Sequence, residues 1–75
     1  MTQEYIEDKI QKSFPGSDVV AMDLTGGGDH WEVRVAAKEF KDMNRIKRHQ
    51  AIMSVFDVEL KSGELHALSI KTIEK

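Results

Sequence analysis

Apolar residues recur every four positions at the start of the chain, at Ile6, Ile10 and Phe14, with polar residues around them. That period belongs to an amphipathic helix and predicts one over residues 3–14. Thr2 is placed to cap it, and Glu4 and Glu7 lie where the helix dipole favours acids. Pro15-Gly16 stops it, because proline cannot continue the hydrogen-bond ladder. From Val19 to Thr25 the period shortens to two, with Val20, Met22 and Leu24 on one side and Asp23 and Thr25 on the other. Gly26-Gly27-Gly28-Asp29 interrupts it. A second alternating run then sets Trp31, Val33, Val35 and Ala37 opposite Glu32 and Arg34. Two alternating runs around a glycine-rich tip predict a β-hairpin.

A helical pattern returns after the hairpin. Asp42 or Asn44 can cap it, and Ile46, His49, Met53, Phe56 and Leu60 form one stripe ending at Ser62-Gly63. A last strand runs from Leu65 to Thr72, with His66, Leu68 and Ile70 on one side. The order helix, strand, strand, helix, strand predicts an α+β fold: a single αββαβ domain over residues 1–75, its three-stranded sheet carrying both helices on one face. This layout is similar to a type II KH-like arrangement. A helix between strands 2 and 3 permits a right-handed crossover, so those strands are expected to run parallel. The expected core is Ile6, Ile10, Phe14, Val33, Val35, Met53, Phe56, Leu60, Leu68 and Ile70.

Composition narrows the class. With 40% apolar and 32% charged residues, the chain reads as an ordinary globular domain. At 75 residues its core must be thin. There is no cysteine, which excludes disulfides and thiolate metal sites. Residues 1–5 show no signal-peptide pattern, and nothing approaches the ~20 apolar residues of a membrane span. A cytoplasmic monomer is the expectation. The net charge of −2 is uneven, because Lys38, Lys41, Arg45, Lys47 and Arg48 face only Glu39 and Asp42 within residues 38–48, giving +3 there and −5 elsewhere. Such a basic island reads either as an anion-binding or partner surface or as a solvated helix face. Arg45, Lys47 and Arg48 also fall at a helix start, where the dipole disfavours cations by about 0.3–1 kcal/mol each.

Enzyme motifs are nearly absent: no G-x-S-x-G, H-E-x-x-H or G-x-x-x-x-G-K-[ST] occurs. The glycine run precedes a strand and so lacks the helix N-terminus of a dinucleotide site, which leaves a flexible hairpin tip as its plainest role. Three histidines remain. His49 lies on the helical stripe and reads as a partly buried, hydrogen-bonded imidazole. His30 stands at the foot of the second strand beside the tip and by itself reads as a surface residue; His66 opens the last strand, where spacing leaves a satisfied edge residue and a functional one equally open.

The segments His30-Trp31-Glu32-Val33-Arg34-Val35, Phe40 with Arg48-His49-Gln50 downstream, and Leu65-His66-Ala67-Leu68-Ser69-Ile70-Lys71-Thr72 resemble BolA-like proteins over nearly the whole chain. The R-H-[RQ] on the middle helix and the H-A-L-S-I opening the last strand are the most specific pieces. The resemblance implies partnership with a monothiol glutaredoxin and a shared [2Fe–2S] cluster. In the family the histidine matching His66 is the constant cluster ligand, and a Cys or His in the loop between the first two strands often supplies a second. This chain has a short, cysteine-free loop there, with His30 slightly beyond the usual ligand position. Some relatives are described as DNA-binding transcriptional regulators.

Chemistry agrees with a borrowed cluster. Iron–sulfur clusters are held mainly by thiolates, with imidazole replacing at most two. A chain without cysteine is therefore expected to hold no cofactor alone and to share a cluster only when a glutaredoxin with glutathione supplies thiolates. The leading expectation is a non-enzymatic regulatory adaptor using His66 and His30. The alternative is a nucleic-acid-binding regulator using Lys41, Arg45, Lys47 and Arg48, although the KH G-x-x-G loop is missing.

Overall fold

The computed structural model describes residues 1–75. Helix α1 spans Gln3–Ser13 and strand β1 Asp18–Asp23. Strand β2 follows over His30–Ala37, then a 3-10 turn over Lys38–Asp42. Helices α2 (Arg45–Val55) and α3 (Asp57–Ser62) lead into β3 (Ala67–Glu74). The sheet order is β1-β2-β3, with β1 antiparallel to β2 and β2 parallel to β3, the pairing that the helical crossover permits. The α+β class and strand order match the expectation.

Each helix start follows from its cap. The Thr2 hydroxyl accepts from the Tyr5 amide, and the Asn44 side chain, not that of Asp42, accepts from the Lys47 amide. The single long middle helix expected from the stripe is two helices, and Phe56 is the break. Its φ and ψ of −108° and 24° leave the helical range, and its ring is fully buried. Gly63, at φ 82°, then ends α3 in the left-handed conformation.

The core lies between the helices and the sheet face carrying Trp31, Val33, Val35 and Ala37. Ile6, Ile10, Phe14, Val33, Val35 and Phe56 are buried as expected, with Leu60, Leu68 and Ile70 packed at the margin. Met53 is only half-buried, whereas Ile52 beside it is sealed. The inward row of the middle helices is Arg48, Ile52, Phe56 and Glu59. The expected stripe is rotated from it, and so Ile46 and His49 face solvent. This corrects the reading of His49 as partly buried.

Strand β1 takes its inward face from the strand beside it. Its register pairs Val19 with Val35 and Ala21 with Val33, so Val19 and Ala21 face the core while Val20 and Leu24 point out. The outer edge of β1 is partly closed by α1, where the Glu7 carboxylate accepts from the Ala21 amide at 3.0 Å. Glu59 is buried among the apolar residues. Its carboxylate accepts from Lys9 Nζ at 2.6 Å and from the Tyr5 hydroxyl. Burial pushes the Glu59 carboxyl up, but the hydrogen bonds from Lys9 and Tyr5 together outweigh it and hold the group below the ordinary range.

Candidate metal and partner site

The site is built on the hairpin tip and the entry to β3. Asp23 ends β1 and ties the tip together: its carboxylate accepts from the amides of Thr25, Gly26 and Gly28. Gly26 and Gly28 have φ near 80°, at 81° and 77°, a conformation that a side chain would strain. A Cβ on Gly28 would also meet the Met1 carbonyl at 3.1 Å. The tip expected as a plain flexible turn is thus an organised loop braced by one aspartate.

Asp29 then joins the loop to the far strand. Its carbonyl accepts from the amides of His66 and Ala67, at 2.8 and 3.3 Å. The parallel register continues this contact by pairing His30 with Ala67. Residues 29–30 and 66–67, distant in sequence, therefore meet at one end of the sheet.

This meeting brings His30 and His66 together, edge to face, with ring centroids 5.7 Å apart. The Asp29 carboxylate lies between them. One oxygen is hydrogen-bonded to His30 Nδ1 at 2.9 Å, and the other is 3.3 Å from His66 Nδ1. An ionised carboxylate only accepts, so a proton on His30 Nδ1 makes that bond and leaves Nε2 with a free lone pair. The hydrogen bond from His30, against a smaller opposing push from desolvation, holds the Asp29 carboxyl below the ordinary carboxylate range. The side chains of His30 and His66 are 40% and 57% exposed, open enough for a second protein to reach. Donor atoms of Asp29, His30 and His66 all lie within 4.8 Å of one another.

Asp29 is the residue that sequence reasoning missed. It stood at the end of the glycine run and read as turn material; its only signal was adjacency to His30. The basic region divides. Lys41, Arg45 and Lys47 are exposed, while the Arg48 guanidinium is folded inward, donating to the carbonyls of Phe40 and Met43 and lying 5.7 Å from the Phe40 ring centroid. Arg48 thus closes the turn before α2. Arg45 and His49 line a groove of about 520 Å³ beside Lys71 and Thr72 of the edge strand β3.

Comparison with known proteins adds a family. A family model described as BolA-like protein matches residues 6–75. The chain is 32% identical over 73 residues to RP812, an uncharacterized protein of Rickettsia prowazekii, an alignment covering 97% of this chain and 94% of the relative. It is 28% identical over 75 residues to a protein named DNA-binding transcriptional regulator BolA from Haemophilus influenzae, covering 91% of this chain and 72% of the relative. The solved BolA domain of SufE1 from Arabidopsis thaliana superposes with a TM-score of 0.85 at 29% identity, covering 96% of this chain and 90% of that one.

Proposed function

The chain belongs to the BolA-like protein family, and on that premise we propose that it is a non-enzymatic regulatory adaptor that docks a monothiol glutaredoxin and shares a [2Fe–2S] cluster with it. The observation that carries this reading is the pairing of His30 and His66 at an exposed end of the sheet in a chain without cysteine. The donors fit a shared cluster: two imidazoles supply at most two of four ligands, and the remainder must come as thiolates from a partner. Such a cluster supplies one-electron redox chemistry and labile iron when bound. This chain's part is to present imidazole nitrogens and to hold them in place. His66 is the primary ligand in this reading and His30 the second. No helix is long and apolar enough to cross a membrane, and a cytoplasmic setting belongs to the proposal.

The test is optical. Mixing the chain with a monothiol glutaredoxin, glutathione, iron and sulfide is expected to give a heterodimer whose visible spectrum differs from that of the glutaredoxin homodimer, because nitrogen replaces sulfur in the donor set. His66→Ala is expected to abolish the difference and His30→Ala to reduce it. A heterodimer spectrum unchanged in His66→Ala would overturn the mechanism.

A second reading is supported by the exposed cations and their groove. Arg45 and Lys71 line the groove and Lys41 and Lys47 are exposed near the start of α2, cations suited to phosphates. In this reading the chain is a DNA-binding regulator, as the name of the Haemophilus relative suggests for that protein. Arg48, committed to two carbonyls, then contributes by shaping the turn.

A further inference from the structure

We propose that Asp29, His30 and His66 bind one divalent first-row transition-metal ion, with Zn²⁺ as the probe, in the chain alone. This goes beyond cluster sharing, since it needs no glutaredoxin, glutathione or sulfide. It also departs from the expectation that the isolated chain holds no cofactor.

The geometry favours an ion between the three side chains. Both Nδ1 atoms lie close to the Asp29 carboxylate, at 2.9 and 3.3 Å. Donors around a tetrahedral zinc with bonds near 2.0–2.1 Å stand about 3.3 Å apart. Each contact is near that spacing but reaches a different oxygen of the carboxylate, and one donor atom from each of the three residues lies within 4.8 Å of the others. An ion would take the place of the Nδ1 protons, which move to Nε2, so the neutral rings need lose no proton to solvent. One carboxylate and two neutral imidazoles carry a net charge of −1, which draws a cation in.

The backbone supports the arrangement independently of the side chains. The Asp29 carbonyl holds the His66 and Ala67 amides, and the β2–β3 register holds His30 opposite Ala67. Three ligands thus come from two rigidly joined segments. Their partial exposure leaves the fourth position to water. Two nitrogens and one oxygen suit Zn²⁺, Co²⁺, Ni²⁺ or Cu²⁺, whereas Mg²⁺ and Ca²⁺ prefer all-oxygen shells.

Titration of the purified chain with Co²⁺, followed by absorption, and with Zn²⁺, followed by calorimetry, tests the site. One Co²⁺ per chain is expected, displaced by Zn²⁺ and not by Mg²⁺ or Ca²⁺. Loss of an outer-shell partner typically costs about 10–100-fold in metal affinity, so loss of a ligand is expected to cost at least that. Asp29→Asn, His30→Ala and His66→Ala are each expected to weaken Zn²⁺ by about tenfold or more, with circular dichroism unchanged. His49→Ala is expected to have no effect. Asp29→Asn keeps the backbone carbonyl that anchors β3, so its effect isolates the carboxylate. Absence of saturable Co²⁺ binding, or wild-type affinity in Asp29→Asn, would overturn the proposal. Either result leaves the cluster reading to its own optical test.

Discussion

At the scale of single residues, two aspartates and one glutamate each gather more than one polar partner. Asp23 braces the hairpin tip, Asp29 stands between two imidazoles, and Glu59 gathers Lys9 and Tyr5 inside the core. Glu59 has the clearest stability consequence. Its pKa is lowered in the fold from the ordinary 4.5, so its contribution is fully present above that value and is lost as pH falls through the folded pKa. Lys9 behaves oppositely: raised above its ordinary 10.5, it contributes below that pH and stops only as pH rises through the folded value. The interaction is therefore intact from pH 4.5 to 10.5 and weakens in acid. Tyr5→Phe removes a donor to the buried carboxylate and is expected to lower stability at pH 7 in urea unfolding. The cost should shrink once Glu59 is protonated. An equal loss at pH 7 and in acid below the Glu59 titration would mean that the ring, not the hydroxyl, supplies the effect.

At the scale of elements, the middle helices show how a pattern can be right in kind and wrong in phase. Their inward row begins with Arg48 and ends with Glu59, both charged, so hydrophobicity alone slides the stripe onto Ile46, His49, Met53 and Leu60. Burial is decided by what each charge finds inside. Arg48 finds two carbonyls and an aromatic ring, and Glu59 finds a lysine and a tyrosine. A double comparison checks the phase. Ile52→Ala is expected to destabilise by about 2–5 kcal/mol, whereas Ile46→Ala, at a position 67% exposed, is expected to stay within about 0.5 kcal/mol. Chemical denaturation measures both, and equal losses would contradict the observed rotation. Strand β1 carries the same lesson, because Val19-Val20-Ala21-Met22 is apolar on both faces. Pairing with β2, not alternation within β1, selects Val19 and Ala21 as the inward side.

At the scale of the whole molecule, the candidate surfaces are separate. The imidazole pair occupies the hairpin end of the sheet, and the exposed cations gather around the start of α2 and its groove with β3. Changes at one should therefore leave the other intact. If nucleic acid binds, affinity is expected to fall steeply with salt, because neutralising phosphates releases counterions. Reversing Lys41, Arg45 and Lys47 to Glu is expected to abolish it without altering the cluster spectrum, as fluorescence anisotropy at several salt concentrations can show. Binding that survives this change at low salt would place the contact elsewhere.

What the sequence by itself determined was local or periodic: the first helix and its Thr2 cap, the hairpin, the order of elements, the parallel last strand, and His30 and His66 as candidates. The elements follow from short-range chemistry that hydrophobic period, capping residues and glycine runs report directly, and the two histidines from the resemblance to BolA-like proteins. Tertiary structure alone decided which face of β1 turns inward, where the middle helix breaks, and that Glu59 is buried while Arg48 folds back onto the turn before α2. It alone also placed Asp29 between the two histidines. The physical reason is common to all four. Each depends on partners that another element supplies, and residues 29 and 66 become neighbours only when β3 pairs with β2.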